Sequence, residues 1–326
     1  MEQEAFLSKI VKNIGLQKLV TLGVLALLYL FFAFSSEAFR SRDTLISIFD
    51  FSYFVGFLAI GVTFVIITGG IDLSIGTVMM TSAIIGGVLH NNFYLPLWLS
   101  LIVMIAVGGL FGLANGIMVA KLKLPAFIAT LGTMLVSRGL GSIISRVQSV
   151  SFPLRASDEG WFRNIFRTDT NFPTGIIVFL ATAIIAAIIL NKTRLGRYTF
   201  SIGSNSEATR LSGVNIVKWQ TCAYVISGLM AGVASIAYVA IFTTVLPGSG
   251  AGMELDAIAA VVVGGTSLAG GKGSILGTIA GVYLMTVLSV GLPFIDLQPH
   301  YQTLITGLVV IVAVYADIYR GRKSKE

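Results

Sequence analysis

Long apolar runs separated by short polar stretches make up almost the whole chain. A helix that crosses a bilayer needs about 20 mostly apolar residues, and ten runs approach that length. The third, eighth and ninth are short, and short Gly-interrupted segments often line a cavity or break within the membrane. The pattern predicts an all-α, polytopic membrane protein with about ten transmembrane helices, at residues 18–35, 45–67, 75–90, 97–120, 126–146, 174–190, 219–243, 255–267, 275–291 and 301–317.

Composition supports this fold class and bounds the domain count. Hydrophobic residues make up 55% of the 326-residue chain and charged residues 11%, less than half of the roughly 25% typical of soluble domains. Residues 1–326 are therefore expected to form a single transmembrane domain. The first apolar run lacks a small-residue cleavage site and is expected to remain as the first span. The single cysteine, Cys222, excludes a disulfide framework.

Basic residues predict the orientation in the membrane. With the N-terminus in the cytoplasm, fifteen of the 22 Lys and Arg residues fall on the cytoplasmic side and five in outer loops. This bias agrees with the positive-inside rule, and an even number of spans places both termini in the cytoplasm. The net charge of +7 is therefore explained by basic loops that lie beside the membrane lipid and set the orientation of the chain. No nucleic-acid partner is expected.

One polar segment, residues 203–215, has a helical pattern inside the longest basic loop, at 191–218. Ala208 and Leu211 are three residues apart, so a helix here carries both on one side. An exposed apolar side with polar edges suits insertion into a groove on another protein. A helix lying flat on the bilayer is the alternative. The segment indicates a transporter subunit that is driven by a cytoplasmic partner.

The ends of this short helix carry recognisable signals. Asn205 or Ser206 is suited to cap its start, and Glu207 in the first turn complements the helix dipole. Gly213 is suited to end the helix by adopting a left-handed conformation. These signals predict a helix of about two turns.

The longest outer loop spans residues 147–173 and contains two acidic and three aromatic residues close together. One interpretation is an amphipathic interfacial helix with its aromatic side chains at the lipid headgroups. The other is a docking surface for a partner outside the cell. The pattern leaves both interpretations open.

Polar side chains within or beside the apolar runs are costly and often functional. Asp72 and Ser74 lie in a Gly-rich turn and are candidates for a gate or pathway contact; alternatively, Asp72 is suited to cap the third helix. Asp50 and Asn115 are further candidates for the pathway. Asn115 is equally suited to bond across helices and hold them together.

Two more acids, Glu254 and Asp256, begin the eighth segment on the predicted outer side. One interpretation is that they complement the dipole at the N-terminus of that helix. The rival interpretation is that they contact an extracytoplasmic binding protein.

Two stretches of the chain echo one another weakly. Residues 65–70 followed by 73–77 resemble 261–265 followed by 274–278. Transporters often contain structural repeats, although chance explains the echo equally well in a chain so rich in Gly, Val and Ile.

Catalytic and nucleotide-binding patterns are not found in the sequence. Residues 270–274, GGKGS, superficially resemble a phosphate loop, but Thr266 stands at the first Gly position and Gly273 follows Lys272. No His, Asp or Cys cluster has metal-ligand spacing, and no Ser, His and Asp set suggests nucleophilic catalysis. The chain is expected to be non-catalytic and to bind no metal or cofactor.

Several of these stretches together resemble the permease subunits of ribose-type ABC importers. Residues 203–215, GSNSEATRLSGVN, look like the coupling segment of that family, and 193–197, TRLGR, match just before it. Residues 68–76, TGGIDLSIG, resemble the signature between the second and third spans, and 125–131, PAFIATL, the start of the fifth.

The long signature near the C-terminus of that family is the most specific match. Residues 254–274, ELDAIAAVVVGGTSLAGGKGS, resemble it throughout. The resemblance covers about residues 45–317, and the loop at 147–173 is the part that does not align.

The resemblance implies the membrane subunit of an ATP-driven importer of a monosaccharide or small polyol in the bacterial plasma (inner) membrane. It implies a cytoplasmic ABC ATPase that uses ATP and Mg, an extracytoplasmic sugar-binding protein, and a second permease chain in an expected homodimer. Motion of the ATPase is expected to be transmitted through Glu207, Ala208, Arg210, Leu211 and Gly213.

A stand-alone secondary transporter driven by an ion gradient is the alternative. It would need a coupling-ion site, usually acids or broken helices near the midplane of the membrane. The acids of this chain are mostly near the ends of the predicted spans, which disfavours that alternative. A scaffold that only anchors an ATPase is weakly disfavoured by the polar, Gly-rich spans.

Overall fold

The computed structural model describes residues 16–166 and 172–323. Several predictions fall on other positions: Lys9 and Lys12 of the orientation signal, part of the outer loop at 167–171, and the end of the basic tail at 324–326. These lie outside the described residues.

The described chain is almost entirely helical. In chain order its helices are α1 (Leu16–Ser35), α2 (Arg42–Ile67), α3 (Ile75–Phe93), α4 (Leu97–Gly116), α5 (Ala126–Ile144), α6 (Arg163–Phe166), α7 (Gly175–Lys192), α8 (Arg194–Ser204), α9 (Ser206–Leu211), α10 (Ile216–Ile241), α11 (Met253–Val263), α12 (Ile275–Gly291) and α13 (Pro299–Lys323). Short 3-10 turns occupy Ala38–Arg40, Asp158–Phe162 and Leu292–Ile295, and a π-turn extends α4 over Ile117–Lys121. Strands β1 (Val150–Ser151) and β2 (Thr244–Val245) pair antiparallel.

A helix overlaps each of the ten predicted spans. Six helical stretches of the described chain are long and apolar enough to cross a membrane: Arg42–Ile67, Leu97–Lys121, Ala126–Ile144, Gly175–Lys192, Ile216–Ile241 and Ile275–Ile295. The helix α3 has 19 residues and is longer than the predicted segment. The helix α11 has 11 residues, or about 16 Å, which is about half of the hydrocarbon thickness. The fold is thus a polytopic helical bundle with one short helix inside it.

Helix α2 forms the centre of this bundle. In its spanning window 89% of the residues are buried, compared with 28% in α5 and in α7. Large side chains of α2, including Tyr53, Phe57 and Phe64, are fully enclosed by the other helices. The outward surfaces of α5 and α7 are therefore left for lipid or for another chain.

Glycines allow α4 and α10 to pack with their backbones in contact. A Cβ at Gly108 or Gly112 of α4 would overlap backbone atoms of α10, and a Cβ at Gly228 of α10 would overlap α4. Association of helices in lipid depends on such close packing, because lipid tails are as apolar as the side chains. The glycine-rich composition therefore has a direct structural role in the bundle.

Helices α2 and α11 end in the same type of C-cap. After α2, Gly69 adopts a left-handed conformation (φ 78°), and the N–H of Gly70 bonds back to the carbonyl of Val65. After α11, Gly265 (φ 97°) is followed by the equivalent bond from Thr266. Both are Schellman motifs. The first parts of the two echoing stretches, 65–70 and 261–265, thus share their local structure.

The outer loop folds onto the end of the bundle, so the interpretation as a single amphipathic interfacial helix is wrong for its described part. Phe152, Phe162 and Phe166 are buried. The side chain of Arg163 is also buried, and it donates a 3.1 Å hydrogen bond to the carbonyl of Ala240 at the end of α10. Tertiary packing of aromatic side chains outweighs their preference for the lipid headgroups here.

Candidate functional site

The predicted short helix in the polar loop is confirmed as α9. The side chain of Asn205 caps it by accepting a 2.9 Å hydrogen bond from the N–H of Ala208. At the other end Gly213 is left-handed (φ 81°), and the N–H of Val214 bonds back to the carbonyl of Thr209 at 3.3 Å. The helix therefore begins and ends where its cap residues predict.

One side of α9 is open to its surroundings. Leu211 has 74% of its surface exposed, and Ala208 is exposed beside it, whereas Thr209 faces inward. Glu207 and Arg210 form an exposed ion pair, with a 3.1 Å bond from Arg210 Nε to Glu207 Oε2. Hydrogen bonding from Arg210, together with its positive charge, lowers the pKa of the Glu207 carboxyl. The exposed side of α9 is therefore an apolar spot at Ala208 and Leu211, bordered by the Glu207–Arg210 ion pair.

The helix α8, which precedes α9, connects this surface to the bundle. A Cβ at Gly203, near the end of α8, would overlap the carbonyl oxygen of Ile67, the last residue of α2. The N–H of Gly271 donates to that same carbonyl at 2.9 Å. The end of α2, the turn before α12 and the end of α8 thus meet at one place.

A polar cleft lies beside this junction. It has a volume of about 590 Å³ and is bordered by Glu207 and Arg210 from α9, with Thr68, Lys123 and Gln220 across from them. The cleft lies between α9, the start of α10 and the loop at Lys123, and α9 contacts the bundle mainly through α8.

Three of the predicted pathway residues, Asp72, Ser74 and Asn115, meet in one buried polar cluster. One carboxylate oxygen of Asp72 accepts hydrogen bonds from the N–H (3.0 Å) and the hydroxyl (2.6 Å) of Ser74. The other accepts from the hydroxyl of Ser227 at 2.9 Å. The amide nitrogen of Asn115 donates to Ser74 Oγ at 2.8 Å, and its oxygen accepts from Thr133.

This cluster connects α4, α5 and α10 to the turn before α3. Both carboxyl oxygens of Asp72 are paired, as a buried polar group requires. Asp72 bonds to the residue that precedes α3, so it orders the turn, and the expected capping of the first helical turn is not observed. The predicted cross-helix bonding of Asn115 is observed directly. Asp50 is also buried but lies on α2, about 26 Å along the helix from its C-terminal end.

Glu254 and Asp256 lie in the first turn of α11. Glu254 is buried, and its Oε1 accepts a 2.9 Å hydrogen bond from the N–H of Gly252. Asp256 is half-buried, and its Oδ1 lies 3.4 Å from the hydroxyl of Thr306 on α13. Their placement at a helix N-terminus fits the dipole interpretation. Neither side chain is displayed openly on the outer surface of this chain.

Some polar partners were not identified from the sequence. Thr133 and Ser227 complete the buried cluster, and Glu159 of the outer loop pairs with His90 at 3.1 Å. Hydroxyl residues are frequent in membrane helices, so their sequence positions carry no distinguishing signal. Within the described residues, no group of three His, Cys, Asp or Glu side chains is arranged to hold a metal ion.

Comparison with known proteins identifies relatives along most of the chain. A family model described as the permease component of branched-chain amino acid transport systems matches residues 44–314. The ribose import permease RbsC of Escherichia coli K12 is 40% identical over 267 residues, which cover 80% of this chain and 81% of RbsC.

Permeases named for other sugars are similar to a comparable degree. The fructose import permease FrcC of Rhizobium meliloti is 36% identical over 81% of this chain and 74% of its own length. The galactose/methyl galactoside import permease MglC of Salmonella typhimurium is 32% identical over 93% of this chain and 94% of its own length. No solved structure matches the chain.

These matches extend over the helical bundle, the buried cluster and α9 together. They confirm the resemblance to permeases of ribose-type importers, and the apolar helices agree with a multi-pass protein of the inner membrane. The chain therefore belongs to the family of permease components that is described for branched-chain amino acid transport systems.

Proposed function

We propose that this chain is the membrane-spanning subunit of an ATP-driven, binding-protein-dependent importer of a monosaccharide. The observation that carries the proposal is the class of substrate for which its relatives are named, which is sugars. The permeases for ribose, fructose and galactose/methyl galactoside each align with at least 80% of this chain. A sugar is therefore favoured over the amino acids of the family description.

The partner ATPase docks on α9. The exposed apolar spot at Ala208 and Leu211 enters a groove of the ATPase, and the Glu207–Arg210 pair borders the contact. Gly213 fixes the end of the helix and hence the angle at which it is presented. ATP and Mg belong to the partner, and this chain contributes no catalytic residue and binds no cofactor.

The remaining architecture follows from this arrangement. The ten apolar segments cross the membrane, α11 together with the chain on either side of its 11 helical residues, and both termini are cytoplasmic, on the same side as the 191–218 segment. Residues 1–326 form one permease domain, which pairs with a second copy of itself through the outward surfaces of its less buried helices. A sugar-binding protein delivers substrate at the opposite end, near the 147–173 loop and the start of α11 with Glu254 and Asp256.

The buried cluster of Asp72, Ser74 and Asn115 is proposed as part of the gate. It connects helices that have to shift if access to the pathway alternates between the two sides of the membrane. Its hydrogen bonds would hold these helices together in one closed arrangement of the gate. Asp50, near the opposite end of α2, is proposed as a pathway contact.

Uptake measurements test the transport function. Cells that lack their own importers and express this chain with its cognate ATPase and sugar-binding protein are expected to accumulate labelled ribose, fructose or galactose. Uptake is expected to stop when the ATPase is inactivated and to persist when the ion gradients are collapsed with ATP maintained. Uptake that fails without an ion gradient would support the secondary-transporter alternative.

Variants of α9 test the docking site. Ala208→Arg and Leu211→Asp place charge on the exposed side and are expected to abolish co-purification of the ATPase, while the chain still inserts into the membrane. Ala208→Ser and Leu211→Met at the same positions are the matched controls and should retain the ATPase. Equal retention by all four variants would place the docking site elsewhere.

A further inference from the structure

A cavity of about 180 Å³ opens between α2, α11, α12 and α13. Phe51 and Phe54 of α2 line one side, and Asp256, Thr286, Ser289 and Gln302 supply polar groups on the others. Its place in the bundle is opposite α9, because Phe51 makes an edge-to-face contact with Phe242, which directly follows the far end of the long helix α10. The cavity therefore lies towards the end where substrate arrives.

One hydroxyl group in this cavity has no hydrogen-bond partner among the described residues. Thr286 is only 3% exposed, and its Oγ1 is buried and unpaired, although it lines the cavity. A buried hydroxyl without a partner costs about 1 to 3 kcal/mol, so such groups are usually satisfied by water or a ligand. The hydroxyl group of Thr286 therefore lies at the wall of the cavity with unused hydrogen-bonding capacity.

Neighbouring side chains add donors and acceptors around the same space. Within the described part of the chain, the carboxyl group of Asp256 makes one long hydrogen-bond contact, 3.4 Å from Oδ1 to the hydroxyl of Thr306. The amide nitrogen of Gln302 donates to Ser289 Oγ at 2.7 Å, which leaves the amide oxygen of Gln302 for another donor. A carboxylate, an amide and two hydroxyls thus converge on a volume too large for a single water molecule.

Aromatic rings supply the apolar wall of the cavity. Phe51 is 37% exposed beside it, and Phe54 packs behind. An apolar aromatic wall facing a few convergent polar groups is typical of small-ligand sites. A ring that carries several hydroxyls presents C–H groups on its face and O–H groups at its edge, and it matches this arrangement. An inorganic cation is a poorer match, because Asp256 is the one acidic residue among the six lining residues named here.

We propose that this cavity is a transit site for a polyhydroxylated ring, in which Asp256, Thr286 and Gln302 exchange hydrogen bonds with sugar hydroxyls and Phe51 contacts the ring face. The proposal rests on the proposed function as a monosaccharide importer. It assigns Asp256 to the substrate instead of to the binding protein. Binding is weak, because a transit site has to release what it receives.

Cysteine protection tests the site directly, because the chain has a single native cysteine. In a Cys222→Ser background, Gln302→Cys lines the cavity, and Thr303→Cys is an exposed control on the same helix outside it. Both are expressed with the ATPase and the binding protein and treated with a small charged methanethiosulfonate. The sugar that the wild-type importer accumulates is expected to slow labelling of the Gln302→Cys thiol about tenfold at saturation and to leave that of the Thr303→Cys thiol unchanged.

Transport by conservative variants gives a second measurement. Asp256→Asn and Thr286→Val keep the side-chain volume and are expected to reduce maximal uptake, while ATPase co-purification and surface expression stay at the wild-type level. Leu255→Ala, at an exposed neighbour of Asp256, is the control and should transport normally.

The outcomes separate the two proposals. A wild-type importer that accumulates none of the three sugars overturns the proposed function and this inference with it. An active wild type in which the Gln302→Cys thiol is unlabelled, or is labelled equally with and without sugar, overturns the transit site alone. Protection of the Thr303→Cys thiol to the same extent shows a general conformational change and also overturns it.

Discussion

At the residue scale, Asp72 shows how an ionisable side chain is accommodated inside the bundle. Its carboxylate accepts hydrogen bonds from Ser74 and Ser227, and Asn115 connects the cluster to α4. A buried carboxylate without such donors would be strongly destabilising. The position of Asp72 beside a Gly-rich turn was evident in the sequence. Its partner Ser227, 155 residues further along the chain, was not.

Replacing Asp72 tests how much the hydrogen bonds that its side chain accepts contribute to stability. Asp72→Ala leaves several buried donors unpaired and is expected to cost about 1 to 3 kcal/mol, seen as a lower unfolding temperature of the purified chain in detergent. Asp72→Asn keeps an acceptor for Ser74 and is expected to cost less than Asp72→Ala. Equal unfolding temperatures for Asp72→Ala and the wild type would show that the cluster does not hold the helices together.

At the element scale, α9 is a six-residue helix that its own caps define. Helices this short are marginal in water, because nucleation is costly and few bonds follow. The Asn205 side chain caps the first turn with a hydrogen bond, and the left-handed Gly213 ends the last turn. These caps provide stabilisation that so short a helix interior lacks. These are local signals, so this element and both of its ends were predictable from the sequence. The helix α8 before it was not predicted, since its packing against α2 depends on the rest of the bundle.

Removing the N-cap should loosen α9 without disturbing the bundle. Asn205→Ala is expected to cost about 1 kcal/mol of local stability and to speed hydrogen exchange of the first α9 amides, including that of Ala208, by roughly fivefold. Mass spectrometry of exchanged peptides measures this rate. Ser206→Ala, at the exposed next residue, is the control, and unchanged exchange in Asn205→Ala would contradict the capping role.

At the scale of the whole molecule, two kinds of packing organise the bundle. Aromatic and branched side chains enclose α2, whereas glycines bring the backbones of α4 and α10 together. The second kind has little tolerance for added atoms, because there is backbone on both sides. The count of 36 glycines in the sequence indicates close packing somewhere but does not identify the pair of helices that uses it.

A single added methyl group tests this contact. Gly112→Ala places a Cβ on the backbone of α10 and is expected to destabilise the chain by about 1 to 3 kcal/mol, with a lower yield and unfolding temperature. Gly23→Ala in α1, where no atom lies within 4 Å of the added Cβ, is the control and should be neutral or slightly stabilising. Equal effects of the two variants would mean that the α4–α10 contact tolerates separation.

The sequence by itself determined the membrane class, the approximate positions of the apolar helices and the short capped helix α9. These features depend on hydropathy along continuous stretches and on cap residues within a few positions of each helix end. Only the tertiary structure decided which polar residues meet. Asp72, Asn115 and Thr133 form a cluster, while Asp256, Thr286 and Gln302 surround a cavity, because helices distant in sequence pack side by side. Such contacts depend on the packing of several helices at once, and no local pattern encodes them.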